Sequence, residues 1–241
     1  MIEKMTQYLQ PTFFIDSDNS DVVEYARKII GNAKTDIEKG IRLYYAVRDN
    51  IRYNPYSINM SPEGFKASTT LRRGEAFCVP KAVLLAACAR AVGIPSRLAF
   101  ADVRNHLTSK RLEESMGGEN VFVFHGQTVM YLKGKWTKST PAFNLSLCEK
   151  INIHPLEYDG TEDSIFHPFD REGNKHMEYL MDRGVYDDLP YERLINTMKE
   201  YYGKEYSSWQ DEESLQKATA DDFESEAFAG EYQRNRSRFS Q

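Results

Sequence analysis

A cysteine precedes the most apolar stretch of the chain. Residues 79–92 contain only two charged side chains, and a helix that is hydrophobic on every face belongs in the protein interior. Pro80 suits the first turn of such a helix, and Gly93 suits its end. Cys78 is therefore predicted at the helix N-terminus, where unpaired N–H groups and the helix dipole favour a thiolate. The residue is either a nucleophile or a small buried hydrophobic group, as most free cysteines are.

A histidine later in the chain could serve as the base for this thiol. Residues 120–132 are rich in Val, Phe and Tyr and predict a β-strand. Residues 133–134 predict a hairpin turn, and 136–140 an antiparallel return strand. His125 lies in the middle of the first strand, where a lone histidine is more often a core residue. Cys–His chemistry, however, needs a base near the nucleophile and a third group that orients the imidazole, so His125 is a candidate base.

The remaining elements are those that must position these two residues. A capping box formed by Thr35 and Glu38 marks the start of one helix. The periodicity of apolar residues predicts helices over 21–30, 36–50, 177–181 and 191–202. It also predicts a short strand that leads into a turn over 51–57, a strand over 96–103, and a loop over 58–72. A buried helix followed by antiparallel strands predicts an α+β layer fold. We expect a single domain over residues 1–203, followed by a polar tail or peripheral helix over 204–241.

Composition excludes several classes of function. The chain has 241 residues and a net charge of −5, which gives no basic surface for nucleic acid. No apolar run approaches the roughly 20 residues that a membrane span needs, and residues 1–14 lack the apolar core of a signal peptide. Three cysteines without C-x-x-C spacing fit a reducing compartment. We expect a cytoplasmic protein without a cofactor, and we interpret Cys88 as core packing.

Several of these segments resemble the transglutaminase-like superfamily, a branch of the papain-like cysteine enzymes in which Cys, His and Asp follow one another along the chain. The resemblance spans about residues 35–145. It is carried by the helix pair before Ile51–Tyr53, the turn Gly74–Cys78, the segment Arg90–Arg97 and the hairpin Phe124–Trp136. It implies a papain-like core in which a buried central helix packs against an antiparallel sheet. It also implies that Cys78 is the nucleophile and that His125 is the general base and acid.

The third member of the family's triad is missing at its usual place. Thr140 stands where the family has Asp. A threonine hydroxyl can accept a hydrogen bond from the imidazole but cannot stabilise an imidazolium as a carboxylate does. Three alternatives remain open. Thr140 orients His125 as a weaker partner, a distant acid such as Asp159 or Asp102 replaces it, or the site is catalytically dead.

Other positions are candidates for binding. Tyr53 or Asn54 could add to the backbone N–H of Cys78 in stabilising an oxyanion. Asp102 and Arg104 follow a strand end, where loops often bind substrate, and Arg104 could hold a carboxylate, although a solvated turn is the simpler interpretation of this segment. No metal-binding spacing is found, including in the acidic stretch Glu157–Asp170.

These residues together predict a cysteine-dependent enzyme that transfers the acyl group of an amide or peptide through a thioester. The expected substrate is a small molecule or peptide, and the sequence does not decide the oligomeric state. The absence of a tryptophan before Trp136 and of a calcium loop argues against calcium-activated cross-linking. One alternative is an arylamine N-acetyltransferase-like enzyme that uses acetyl-CoA, although the spacing from Arg73 to Cys78 differs from that family's motif. The other is a binding module that keeps the fold without turnover.

Overall fold

A computed structural model describes residues 3–165, 168–209 and 219–228. The α-helices in these ranges are α1 Ser20–Ile30, α2 Asp36–Asn50, α3 Ala67–Arg73, α4 Cys78–Ala91, α5 Lys110–Ser115, α6 Leu145–Lys150, α7 Tyr191–Tyr202, α8 Lys204–Ser208 and α9 Ala220–Phe228. The strands are β1 Arg52–Tyr53, β2 Glu75–Ala76, β3 Ser96–Asn105, β4 Val121–Leu132, β5 Lys135–Ser139 and β6 Met177–Tyr186. Two short 3-10 helices cover Glu3–Leu9 and Pro62–Phe65.

Helix α4 forms the centre of the molecule. Every residue from Cys78 to Arg90 is buried, because α1, α2 and α3 pack against this helix along with β3 and β4. Its two charged side chains are held by backbone carbonyl groups. Lys81 donates hydrogen bonds to the carbonyls of Arg48 and Ile51, at the end of α2. The prediction of a buried central helix is confirmed.

The main sheet has four antiparallel strands in the order β5-β4-β3-β6. Strands β4 and β5 form the predicted hairpin around Lys133 and Gly134, both of which have positive φ. A separate parallel pair, β1 and β2, brings Tyr53 beside Ala76, two residues before Cys78. The α+β fold with a central helix against an antiparallel sheet is confirmed.

Two predictions of secondary structure are wrong. The segment 177–181, predicted as a helix, belongs to strand β6, whose pairing with β3 contains two register shifts. β6 is an edge strand, and its neighbouring apolar residues Leu180 and Met181 are both exposed. Apolar and polar residues therefore do not alternate along this segment, and that alternation is the pattern that identifies a half-buried strand. The predicted loop 58–72 contains the second 3-10 helix and most of α3.

The C-terminal region contributes to the core where it is described. Phe223 of α9 is fully buried, and its ring contacts those of Tyr53 and Tyr56. Glu224 is also buried and forms ion pairs with Arg52 and Lys150. Residues 210–218 and 229–241 of the predicted tail lie outside the described residues. None of the described helices is both long and apolar enough to cross a bilayer.

Candidate active site

Cys78 is the first residue of α4, and its side chain is buried at the bottom of a cleft. Burial raises the pKa of the thiol to about 11, although backbone hydrogen bonds from Gly126, Val79 and Cys78 itself act in the opposite direction. The N–H groups at the helix N-terminus thus lower the pKa of the thiol, as predicted, but burial raises it by more. Removal of the sulfur from water outweighs the N–H groups around it, and the thiol is protonated at neutral pH.

Gly126 lets strand β4 approach the start of α4. A Cβ atom at this position would lie 2.8 Å from the Cα of Val79 and 3.2 Å from the carbonyl oxygen of Cys78. Both contacts are with backbone, which cannot rotate away, so only glycine fits. Sequence reasoning missed Gly126 as a site residue. The available signal was a glycine inside a strand directly after His125, because such a glycine often marks a close backbone approach.

His125 precedes Gly126 in β4 and is buried, with its backbone paired to Ala101. Burial lowers the pKa of its imidazole to about 4, so the ring is neutral at physiological pH. Its Nε2 is buried without a hydrogen-bond partner within the described part of the chain. A neutral imidazole with an unengaged ring nitrogen is the form that a general base requires.

Thr140 lines the same cavity as His125. This cavity has an empty volume of about 240 Å³, and its other described walls are Ala142, Phe143, Leu156, Ile165 and Met177. The Thr140 hydroxyl donates a hydrogen bond to the carbonyl of Ile165 at 2.8 Å, which leaves its oxygen able to accept a bond from the imidazole. None of the described lining residues carries a carboxylate. Thr140 and His125 therefore line one cavity, with a hydroxyl at the position of the family's acid.

The two distant aspartates are engaged elsewhere. Asp159 is exposed, and its carboxylate accepts hydrogen bonds from Thr161 and Glu162 in a local turn. Asp102 is buried and forms a two-bond ion pair with Arg183, at 2.7 and 2.6 Å. Neither lines the described cavity around His125.

Asp102 instead holds the strand segment that leads to His125. Its Oδ1 accepts the backbone N–H of Phe124 at 3.0 Å. Phe124 has a φ of 56° at a bulge, where the register between β3 and β4 shifts. Bulges of this kind change the direction of neighbouring side chains. Asp102 is predicted above to bind substrate. In the structure its carboxylate instead fixes the backbone of β4 immediately before His125.

Of the other three candidate binding residues, one lines the cleft at Cys78 and two do not. Tyr53 lines the cleft at Cys78. Asn54 does not: it is fully buried, and its amide group donates to Glu75 and accepts the N–H of Tyr56. Arg104 is partly exposed, lies 3.6 Å from the carboxylate of Glu178, and lines neither described cavity. Of these residues, only Tyr53 is placed to contact a molecule bound at the thiol.

The cleft beside Cys78 has an empty volume of about 540 Å³ and is mainly apolar. Phe122, Val123 and Phe124 of β4 form one wall. Further walls come from Met116, next to α5, and from Met198, Tyr202 and Trp209 in and after α7. Among the described residues, no group of three or more His, Cys, Asp or Glu side chains could hold a metal ion.

Comparison with known proteins agrees with this architecture. Residues 23–141 match the family model of the transglutaminase-like superfamily. This part of the chain belongs to that superfamily. The matched segment contains Cys78, His125 and Thr140, whereas α7 to α9 lie beyond it. No curated protein is significantly similar to the chain in sequence.

Two solved structures resemble the chain at low identity. One is a candidate cysteine protease from Cytophaga hutchinsonii, with 17% identity, a TM-score of 0.48, and coverage of 79% of this chain and 50% of that one. The other is a candidate protease from Parabacteroides distasonis, with 19% identity, a TM-score of 0.35, and coverage of 49% and 22%. The chain thus spans half the length of the first protein and about a fifth of the second.

Proposed function

We propose that this transglutaminase-like protein is a cysteine-dependent enzyme that cleaves an amide or peptide bond through a thioester. The observation that carries the proposal is the contact between Cys78 and Gly126, the residue next to His125. It joins the thiol at the head of α4 to the strand that bears a neutral, buried imidazole.

Before substrate binds, the Cys78 thiol and the His125 imidazole are both uncharged. With the pKa of the thiol at about 11 and that of the imidazole at about 4, proton transfer before substrate binds is unfavourable by roughly 10 kcal/mol. His125 therefore acts as a general base while the sulfur attacks the carbonyl carbon. The S–C bond forms, the thiol proton passes to the imidazole, and the carbonyl becomes an oxyanion.

Collapse of this intermediate completes acyl transfer to the enzyme. The C–N bond breaks, the imidazolium returns its proton to the departing amine, and the acyl group stays on Cys78 as a thioester. His125 then activates water, which gives hydrolysis, or an amine, which gives transfer to a second substrate. The Thr140 hydroxyl can orient the imidazole throughout, but it supplies no negative charge for the imidazolium.

A set of peptides with a fluorogenic C-terminal amide tests this function. The wild-type protein and Cys88→Ala are expected to release the amine, because Cys88 is a fully buried core residue of the same helix. Cys78→Ala and His125→Ala are expected to release none above background. An acyl adduct on the peptide containing Cys78, detected by mass spectrometry after acid quenching, identifies the thioester. Release by Cys78→Ala at the wild-type rate contradicts the proposal.

A non-catalytic binding module is the second candidate, and the absence of a carboxylate from the described walls around His125 favours it. The same experiment separates the two functions. A module of this kind binds peptide amides, but the wild-type protein forms no adduct and releases no amine from any peptide of the set.

A further inference from the structure

We propose that the cleft beside Cys78 binds a large apolar side chain of the acyl donor, such as Phe, Leu or Met. The inference rests on the proposed function, because it assigns the acyl part of the substrate to this cleft. Apart from Cys78, Ser115 and the ring hydroxyls of Tyr53 and Tyr202, the described lining side chains are hydrocarbon or thioether groups or aromatic rings, and none is charged.

The polar atoms of two large wall residues are already engaged. The Tyr202 hydroxyl donates to the carbonyl of Val121 at 3.0 Å and accepts the N–H of Val123 at 3.1 Å. The Trp209 indole N–H donates to the carbonyl of Ser115 at 3.2 Å. Both residues therefore offer ring surface to the cleft, and a charged side chain placed there would lose its water without gaining a charged partner.

The chemistry decides which part of the substrate the cleft holds. The departing amine must lie beside His125, which donates its proton, and His125 lines the other cavity. The cleft contacts Cys78 and Val79 but not His125. The acyl portion, which becomes bonded to the sulfur, therefore extends into the cleft.

The flexible side chains in the walls of the cleft can adjust to a long or aromatic group. Met60, Met116 and Met198 line the cleft, and methionine side chains adjust their shape to different apolar partners. Met198 and Trp209 lie beyond residues 23–141, the segment that matches the family. The preference is thus set partly by residues that this chain adds to the shared core.

Binding to the inactive variant Cys78→Ala tests the preference without requiring turnover. The probes are N-acetyl-phenylalanine amide, N-acetyl-leucine amide, N-acetyl-aspartate amide and N-acetyl-lysine amide, and binding is followed by Trp fluorescence and calorimetry. We expect the Phe and Leu probes to bind 10- to 100-fold more tightly than the two charged probes, given the free energy of burying such side chains. Equal binding of all four, tighter binding of a charged probe, or no binding of any probe overturns the inference.

A matched pair of variants assigns the preference to the cleft. In the Cys78→Ala background, Met198→Ala enlarges the cleft and is expected to weaken Leu binding about 10-fold relative to a larger tryptophan probe. Met181→Ala removes the same side chain from the exposed face of β6 and should leave the ratio unchanged. Unchanged ratios in both variants place the binding elsewhere and overturn the inference. A Phe and Leu preference without turnover in the wild-type protein would contradict the proposed function and leave standing only the part of the inference that gives the cleft a preference for apolar side chains.

Discussion

Gly126 and Cys78 are in direct contact, and this contact fixes the separation between the thiol and the strand that carries His125. A Cβ at Gly126 would lie 3.2 Å from the carbonyl oxygen of Cys78 and 2.8 Å from the Cα of Val79, so no side chain fits between β4 and the first turn of α4. Both catalytic candidates are buried around this contact.

Gly126→Ala should abolish most of the activity. The new methyl group would lie 2.8 Å from the Cα of Val79, so β4 must move away from α4 and carry His125 with it. We expect kcat/KM to fall at least about 100-fold and the free energy of unfolding to fall by about 1–3 kcal/mol, as in other overpacked sites. Kinetics and urea denaturation measure the two effects.

Gly40→Ala is the matched control for this substitution. Gly40 lies in α2, and a Cβ there would meet the end of the Leu132 side chain at 3.1 Å and, at an ordinary contact distance of 3.8 Å, the sulfur of Met130. The Leu132 side chain can rotate, and alanine favours the helix by about 1 kcal/mol, so activity and stability should be retained. Equal losses of activity and stability in the two variants would contradict the special role of Gly126.

Alkylation of Cys78 by iodoacetamide should increase steeply with pH. Only the thiolate reacts, and with a pKa of about 11 the thiolate fraction, and hence the labelling rate, grows roughly 1000-fold between pH 6 and 9. Peptide mapping by mass spectrometry gives the rate for each cysteine. Cys88 and Cys148, which are fully buried and line neither described cavity, should react more slowly than Cys78. Rapid labelling of Cys78 at pH 6, independent of pH, would instead indicate a resting thiolate.

Thr140→Asp should raise activity. A carboxylate beside His125 stabilises the imidazolium formed during attack and raises the pKa of the ring from about 4. Since the base must be neutral, the lower pH limit of activity should move upward, and kcat/KM at pH 7 should rise about 10-fold. The pH–rate profile and NMR titration of His125 measure these shifts.

The control for this prediction is Thr140→Asn, which has a similar shape and no charge. Both variants lose the hydroxyl bond to the carbonyl of Ile165, so each should unfold about 1–3 kcal/mol more easily. Only the aspartate should change the pKa of His125. A shift of equal size in the asparagine variant would show that charge at position 140 does not act on the imidazole.

Glu224→Gln should loosen α9. Burial raises the pKa of Glu224, but hydrogen bonds from Lys150, Asn144 and Arg52 outweigh it and bring the pKa to about 2. Because the folded pKa lies below the unfolded one, this stabilisation is complete above about pH 5 and is lost as the pH falls toward 2. At pH 7 the variant should lose about 1–3 kcal/mol, since Arg52 and Lys150 are partly exposed.

Chemical denaturation at several pH values measures this effect. Glu149→Gln, an exposed position on α6, serves as the control and should change stability by less than about 0.5 kcal/mol. The difference between the two variants should disappear below about pH 2, where Glu224 is protonated in both states. A difference that persists unchanged at that pH would assign the effect to packing rather than to charge.

Local patterns determined the parts of this protein that depend on neighbours in the sequence. The capping box of Thr35 and Glu38 forms as predicted, and so does the β4–β5 hairpin. Helix α4 forms as predicted, because its apolar composition suits only a buried helix. It starts one residue before the predicted stretch. The segments Gly74–Cys78, Arg90–Arg97 and Phe124–Trp136 together were enough to indicate the family and the candidate nucleophile and base.

Only the tertiary structure decided what depends on distant parts of the chain. Strand β6 forms because β3 offers it an open edge, and Asp102 is engaged by Arg183, 81 residues away. The protonation of Cys78 followed the loss of water around the sulfur, which a helix N-terminus alone does not reveal. The apolar cleft is likewise completed by Met198 and Trp209. Desolvation and long-range packing depend on which segments meet in space, and local sequence spacing does not contain that information.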